Sequence, residues 1–127
     1  MAEFAPTVDR MTKNVFLVVA SDREDGDTGR LRDTALEGHL EYVEKNCQRY
    51  LICGPMWSGD GATIVGSFFV VEADDEDAAR ALVSGDPYVD AGIYADIRVT
   101  KVTASAGRWM GGVIWESAAS VRARTAG

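Results

Sequence analysis

The sequence is poor in histidine, cysteine and long apolar segments, and each shortage argues against a class of protein. It contains one histidine and two cysteines, Cys47 and Cys53, which do not form a CxxC pair. Zinc sites are built from clustered Cys and His ligands, so we expect no metal. No segment approaches the roughly 20 apolar residues of a membrane span, and the N-terminal residues lack the apolar core of a signal peptide.

Positive charge is scarce as well. The chain has 13 Lys and Arg residues against 20 Asp and Glu residues, which gives a net charge of −7 and a pI near 4.6. An acidic surface repels phosphate backbones and anionic lipids, so we expect neither nucleic acid nor a membrane as a partner. The two cysteines are interpreted as buried, inert thiols of a cytoplasmic protein, and a reactive Cys53 is the less favoured alternative.

Length and patterning predict one folded domain between two less regular ends. A chain of 127 residues with 46% hydrophobic residues is typical of a single globular domain. We expect residues 1–13 to be a flexible leader, 14–104 to be the folded domain, and 105–127 to be a C-terminal extension. Within the extension, 113–115 are a candidate short strand and 117–127 are expected to be frayed.

Apolar periodicity predicts four strands and two helices in the folded domain. Asp74 is the predicted N-cap of the second helix, and the acidic residues after it suit the helix dipole better than a metal site. The predicted order is a strand over 14–20, a helix over 30–47, strands over 49–53 and 62–71, a helix over 74–83 and a strand over 93–100. The expected buried faces are Leu36, Leu40, Val43 and Cys47 of the first helix and Ile93, Ala95, Ile97 and Val99 of the last strand.

This β-α-β-β-α-β order is that of an α+β, ferredoxin-like split βαβ fold. Two helices cover only one face of a four-stranded sheet, yet the first and third predicted strands are apolar on both faces. A large exposed apolar face is unusual on a soluble monomer. We therefore predict a homodimer in which sheet packs on sheet.

Two polar features stand out against this background. His39 lies on the first helix among apolar residues, and the turn after the second helix reads GDPYVDAGIY over 85–94. His39 is either a hydrogen-bonded core residue or an acid/base group, since histidine is the side chain whose unperturbed pKa lies near neutrality. Asp86, before a proline, is either a turn residue or a carboxylate that orients His39. The hydroxyl of Ser67, within an apolar strand, needs a partner and binds either a ligand or a neighbouring strand.

The chain also resembles a known family through residues that occur in a fixed order. These are Arg32 seven residues before His39, then Gly54-Pro55, Gly66-Ser67, Asp86-Pro87-Tyr88, Ala91-Gly92 and Tyr94. Over residues 14–103 they resemble the YciI-like (YCII-related) proteins. The resemblance implies a dimeric α+β barrel of ferredoxin-like subunits with a histidine–aspartate active site, here His39 and Asp86. Many members carry an arginine where this chain has Leu36.

The resemblance implies a small lyase or isomerase that works by general acid/base catalysis without a cofactor. Dehydrochlorination of a chlorinated hydroxyhydroquinone is known in the family, and muconolactone-isomerase-like proton transfer is the related option. The sequence shows no GxGxxG, P-loop or flavin signature. The alternative is a non-catalytic module that binds a small ligand in the same dimer cavity. Catalysis is assigned to His39 and Asp86, and substrate binding to Arg32, Ser67, Tyr88, Tyr94, Gly54 and Pro55. For the two tyrosines, structural packing is the alternative.

Overall fold

A computed structural model describes residues 4–125. The chain divides into two compact units, which are described separately. The larger unit covers 13–102 and the smaller one combines the described residues of the N-terminal segment, 4–12, with 103–125. Across the residues that the structure describes, no helix has both the length and the apolar character needed to cross a membrane.

The larger unit is a mixed α+β structure with the predicted order of its main elements. In addition, a short helix, α3 (Pro87–Asp90), lies within the segment 85–94, which the sequence analysis described as a turn. The elements are β1 (Asn14–Asp22), α1 (Thr28–Lys45), a 3-10 turn (Cys47–Arg49), β2 (Tyr50–Trp57), β3 (Ile64–Ala73), α2 (Glu76–Ser84), α3 (Pro87–Asp90) and β4 (Tyr94–Val102).

All strand pairs of the four-stranded sheet are antiparallel, and the strand order is β2-β3-β1-β4. The apolar β1 and β3 are central because each must bury residues on both faces. Both helices pack on one face, where Val18 and Phe69 of the sheet meet Leu82 of α2 and Val43 of α1. The second face carries apolar residues that are only half-buried, namely Leu17, Val19, Phe68 and Val70.

The caps of the helices explain where they begin. The side chain of Asp27 accepts a hydrogen bond from the Arg30 amide at 3.2 Å, which starts α1 two residues before the predicted helix. The cap of α2 is Asp75, whose side chain accepts from the Ala78 amide at 2.8 Å. The prediction of Asp74 as the cap was therefore wrong by one residue.

The predicted buried face of α1 was wrong in part. On α1, Leu36 and Leu40 are 40% and 50% exposed and Cys47 is exposed, while Arg32 is buried. The reason is that Leu36 and Leu40 border a cavity instead of the core, as described below. The expectation of two buried thiols also fails for Cys47, whereas Cys53 is half-buried.

A β-bulge changes the facing of residues at the start of β4. Ser21 pairs with Asp96 and Asp22 pairs with Tyr94, so Ala95 is an extra residue in the ladder. Tyr94 consequently packs against the core with Ile97, and Ala95 is exposed. Strict alternation had placed Tyr94 on the opposite face from Ile97. Bulges redirect side chains in this way, and this one turns Tyr94 toward Ser67.

The smaller unit contains two short strands and one helix. They are β5 (Ala106–Gly107), β6 (Gly112–Val113) and α4 (Ala118–Thr125), so the candidate strand at 113–115 is present only at Val113. Thr7 forms a parallel bridge with Val113. Residues 118–125, expected to be frayed, are helical, and 126–127 lie outside the described residues.

Candidate active site

The larger unit contains a cavity of about 170 Å³ whose wall combines α1, β2, β3 and α3. Its polar wall residues include four of the predicted site residues, His39, Arg32, Ser67 and Tyr88. Gly54 and Pro55 of β2 also line it. Residues far apart in sequence thus border one space of about the size that holds a single aromatic ring.

His39, on the wall of this cavity, forms a close pair with Asp86, which is buried and does not line the cavity itself. The His39 Nδ1 lies 2.8 Å from each carboxylate oxygen of Asp86, whose side chain is 1% exposed. Because an ionised carboxylate only accepts, Nδ1 carries the proton in this contact. The Nε2 of a neutral His39 ring is therefore an acceptor with a free lone pair, and among residues 4–125 no group hydrogen bonds to it.

The local sequence fixes Asp86 in place. The residue is the extended N-cap of α3, with Pro87 in the first helical position, and its Oδ1 accepts from the Tyr88 amide at 2.9 Å. One carboxylate oxygen therefore bonds both the backbone of α3 and the imidazole ring. The GDPY turn explains the orientation of the carboxylate, and the fold supplies the contact across 47 residues.

Two glycines allow α1 and the GDPY turn to approach each other. A Cβ on Gly38 would lie 3.3 Å from the Pro87 Cγ, and a Cβ on Gly85 would lie 2.4 Å from the Tyr42 hydroxyl. That hydroxyl donates to the Leu82 carbonyl at 2.6 Å. Gly38 was not singled out from the sequence, although a glycine inside a helix weakens it by about 1 kcal/mol relative to alanine and so marks a packing constraint.

Tyr88 contacts both members of the pair. Its ring stacks on His39 with a centroid distance of 3.7 Å and an interplanar angle of 5°. Its backbone amide donates to Asp86, as noted above. The ring plane of His39 is thus fixed by stacking on one side and by the Asp86 carboxylate at its edge.

A second ion pair closes another part of the wall. Both guanidinium NH groups of Arg32 contact Asp22, one of them at 2.9 Å from Oδ1. Arg32 also reaches the Gly66 carbonyl at 3.4 Å and the Ser67 hydroxyl at 3.5 Å. Asp22 was missed by sequence reasoning, because it lies in a loop-like acidic segment with no pattern that distinguishes it.

Ser67 finds its partner across the sheet. Its hydroxyl lies 2.8 Å from the Tyr94 hydroxyl, and the Arg32 guanidinium stands 5.9 Å from the centre of the Tyr94 ring and 5.7 Å from that of Tyr88. Ser67 thereby satisfies a strand-to-strand contact while it borders the cavity. Tyr94 does not line the cavity itself, and it contacts the wall only through Ser67.

Burial sets the protonation of these groups. Burial raises the pKa of Tyr88 and of Tyr94, against a smaller opposing effect of Arg32, so both hydroxyls remain donors at neutral pH. Burial lowers the pKa of Arg32, but its hydrogen bonds and its attraction to Asp22 outweigh burial and raise it overall. Burial also raises the pKa of the Cys53 thiol, which argues against a reactive thiolate at this wall.

The arrangement offers a base, a carboxylate that orients it and protonated hydroxyls around a ring-sized space. Within 4–125 there is no cluster of three or more His, Cys, Asp or Glu side chains able to hold a metal ion. A histidine that a carboxylate orients can transfer protons to and from a small organic molecule.

The comparison with protein families agrees with the resemblance found in the sequence. The family model described as the YCII-related domain matches residues 15–103. The solved structure of 5-chloro-2-hydroxyhydroquinone dehydrochlorinase (TftG) from Burkholderia phenoliruptrix, in complex with 2,5-dihydroxybenzoquinone, is similar with a TM-score of 0.63 and 26% identity. The match covers 74% of this chain and 96% of that chain.

More distant structures are also similar. A hypothetical Arabidopsis thaliana protein is 9% identical with a TM-score of 0.44, over 79% of this chain and 95% of that one. A dimeric ferredoxin-like protein of unknown function from Thermobifida fusca is 15% identical with a TM-score of 0.38, over 81% and 99%. No curated protein matches the sequence significantly.

Proposed function

The chain belongs to the YCII-related family, and from that premise we propose that it is a cofactor-free lyase or isomerase acting on a small aromatic-derived or lactone-like molecule. The observation that carries the proposal is the contact of His39 Nδ1 with both oxygens of the buried Asp86 on the wall of a ring-sized cavity. The similarity to a dehydrochlorinase supports lyase chemistry.

In this proposal His39 is the general base. The Nε2 lone pair takes a proton from the bound ring, and the Asp86 carboxylate stabilises the imidazolium that forms. In a dehydrochlorination, His39 takes a proton from a hydroxyl of the chlorinated hydroxyhydroquinone and returns it to the ring carbon that bears chlorine. Transfer of a second hydroxyl proton to His39 then expels chloride from that carbon, so HCl is lost overall and the chlorinated ring becomes a quinone without an external oxidant. In an isomerisation, the imidazolium returns the proton to a different carbon.

The remaining predicted site residues would bind the substrate. Burial keeps the Tyr88 hydroxyl protonated at neutral pH because it raises the pKa of Tyr88, so this hydroxyl can donate to a ring oxygen. Ser67 and Tyr94 supply a second hydroxyl site. Arg32, with most of its donors engaged by Asp22, lies on the wall beside the ring, and Gly54 and Pro55 bring backbone close to the ring.

The homodimer is part of the same proposal. The sheet face opposite the helices carries Leu17, Val19, Phe68 and Val70, which a second copy would cover by packing sheet on sheet. The two free cysteines suit a reducing compartment, which supports the cytoplasm as the place of action.

A non-catalytic ligand-binding module is the second candidate. The observation that favours it is the pairing of Arg32 with Asp22, which neutralises the cation expected to bind an anionic substrate group. A cavity without a free cation stabilises developing negative charge less well, so it would suit binding better than turnover.

The deciding experiment is an assay of the full chain with 5-chloro-2-hydroxyhydroquinone, in which chloride release and quinone absorbance are followed together, and a parallel assay with a muconolactone. We expect turnover that falls by about 10²–10⁴-fold in His39→Gln, the usual contribution of a general base. Glu37→Gln, an exposed change two residues away on the same helix, is the matched control and should leave the rate unchanged.

The other outcomes are informative in different ways. A wild-type protein that binds the ring without turnover would favour the binding module. Turnover that survives His39→Gln with the fold intact would remove the histidine–aspartate pair from the mechanism.

A further inference from the structure

A second, larger cavity adjoins the ring-sized one. It has a volume of about 500 Å³ against about 170 Å³ for the inner cavity. The two share four wall residues, Arg32, Leu36, Ile64 and Tyr88, so they meet along one side of α1 and the start of β3. A molecule seated beside His39 therefore has further space toward the outer cavity.

The volumes set how much of a substrate each cavity can take. A closed apolar cavity of about 150 Å³ holds one benzene molecule. The inner cavity is of that size, so it accommodates a single ring with small substituents. The outer cavity is several times larger than such a ring needs, and it matches a substituent of several carbon atoms.

The outer wall is apolar where a substituent would lie. Trp57 and Leu36 line it, and they are 53% and 40% exposed. Exposed large apolar side chains that cluster at a concave surface mark recognition sites more often than chance exposure does. Leu36 was expected to be buried in the core, and its position at the shared wall gives its exposure a physical reason.

Charge at the outer wall disfavours an anionic substituent. Asp33 is the exposed acidic residue of this wall, and the cation that borders it, Arg32, is already paired with Asp22. A carboxylate placed here would meet a like charge and find no free cation. The chemistry of the wall suits a neutral hydrocarbon group.

Trp57 is also held in an ordered position. It ends β2, and the turn after it is fixed by the Asp60 carboxylate, which accepts from the Ser58 hydroxyl at 2.6 Å and from the Ala62 amide at 3.0 Å. The Thr63 amide donates to the Ser58 hydroxyl at 3.2 Å. A wall residue anchored by such a turn loses little freedom on binding, which favours affinity.

We infer that the substrate carries a neutral apolar substituent, with its ring in the inner cavity beside His39 and its substituent against Trp57 and Leu36 in the outer one. The inference rests on the proposed function and deepens it by naming the substrate class as ring compounds with an apolar side chain. Trp57 is then a specificity-determining residue that sequence reasoning did not identify.

The test compares two ligands by calorimetry on the full chain, 2,5-dihydroxybenzoquinone and the same ring with a hexyl chain on carbon 3. Removal of each CH₂ of the hexyl chain from water is favourable, so even partial burial of the chain should tighten binding at least about tenfold. Trp57→Ala should remove that advantage, so that the variant binds the two ligands with equal affinity. Trp109→Ala, a 79% exposed tryptophan of the smaller unit, is the control and should change neither affinity.

A second variant keeps the test decisive if Trp57→Ala fails to fold. Leu36→Arg places a cation at the shared wall, and it should reverse the preference, so that a ring with a carboxyhexyl chain binds better than the hexyl compound. Equal affinity of the wild type for the two uncharged ligands would overturn the inference and leave the proposed function in place. Failure of the wild type to bind either ring would overturn both.

Discussion

Helix α1 carries two basic side chains seven residues apart, and each meets a buried carboxylate beside the same cavity. Arg32 pairs with Asp22, whose side chain is 7% exposed, and His39 pairs with Asp86, at 1%. The Arg32 guanidinium contacts its carboxylate through two NH groups and reaches Gly66 and Ser67 as well. His39 uses one nitrogen for its carboxylate, and its other nitrogen has no partner among residues 4–125.

The difference separates a structural pair from a reactive one. Arginine remains charged at all physiological pH values, so the first pair provides a constant field and joins α1 to β1. Histidine can gain and lose its proton near neutrality, so the second pair can carry chemistry. We therefore propose that Arg32–Asp22 serves stability and His39–Asp86 serves catalysis, and variants of each pair can separate the two effects.

The largest expected effect is that of Asp86→Asn on turnover. The amide cannot stabilise an imidazolium as the carboxylate does, and it no longer forces the proton onto Nδ1, so we expect a loss of about 10²–10⁴-fold. Nitrogen NMR of His39, the single histidine, should show the proton on Nδ1 in the wild type and a mixture of tautomers in the variant.

Asp90→Asn is the matched control, since Asp90 is an exposed residue of the same short helix α3. It should change neither the rate nor the NMR spectrum. If Asp86→Asn keeps both the wild-type tautomer and the wild-type rate, Asp86 serves only as the cap of α3. The His39–Asp86 pair would then be structural, like the Arg32–Asp22 pair.

A smaller effect, on stability instead of rate, is expected for Arg32→Met. The change leaves the carboxylate of Asp22 buried without its cation, which typically lowers the free energy of unfolding by about 3–5 kcal/mol. Urea unfolding followed by circular dichroism measures the loss. The double variant Arg32→Met with Asp22→Asn should recover part of it, because no uncompensated charge is then buried. A loss below about 1 kcal/mol would mean that the pair is not structural.

Sequence patterns predicted the order of the elements and the family, and the family match confirms the latter. An apolar, β-branched run such as β1 predicts a buried strand because the residues of the run itself favour that structure. The errors arose where tertiary contacts decide. Tyr94 changes face because of a bulge opposite Asp22, and Leu36 is exposed because a cavity replaces the core there. The apolar periodicity of a single segment reveals neither the bulge nor the cavity.

In the candidate site, too, some residues could be identified from the sequence and others could not. His39 is conspicuous as the single histidine, and Asp86 stands before a proline, so the sequence could mark both. Asp22 and Trp57 are marked by nothing local, because their importance comes from a guanidinium ten residues away and from the meeting of two cavities. Residues that act through distant partners are the ones that a single sequence leaves unmarked.

The smallest expected effect concerns the core beneath the two pairs, where the Tyr50 hydroxyl is buried without a hydrogen-bond partner in the described part of the chain. Burial, with the nearby Asp86 charge adding to it, raises the pKa of Tyr50 above its ordinary value of 10. Removal of this hydroxyl in Tyr50→Phe should therefore raise the free energy of unfolding at neutral pH by up to about 1 kcal/mol, since an unpaired buried polar group is costly.

The raised pKa of Tyr50 also predicts how the free energy of unfolding changes at high pH. The unfolded chain releases the Tyr50 proton near pH 10, before the folded protein does, so stability is complete below that pH and falls as the pH rises further. Tyr50→Phe should make the decline above pH 10 shallower in urea unfolding. Tyr42→Phe is the control, because the Tyr42 hydroxyl bonds the Leu82 carbonyl at 2.6 Å, and its loss should destabilise the protein at neutral pH. Destabilisation by Tyr50→Phe of the size seen for Tyr42→Phe would show that the Tyr50 hydroxyl has a partner, and the core would then contribute polar contacts of its own beside the two pairs.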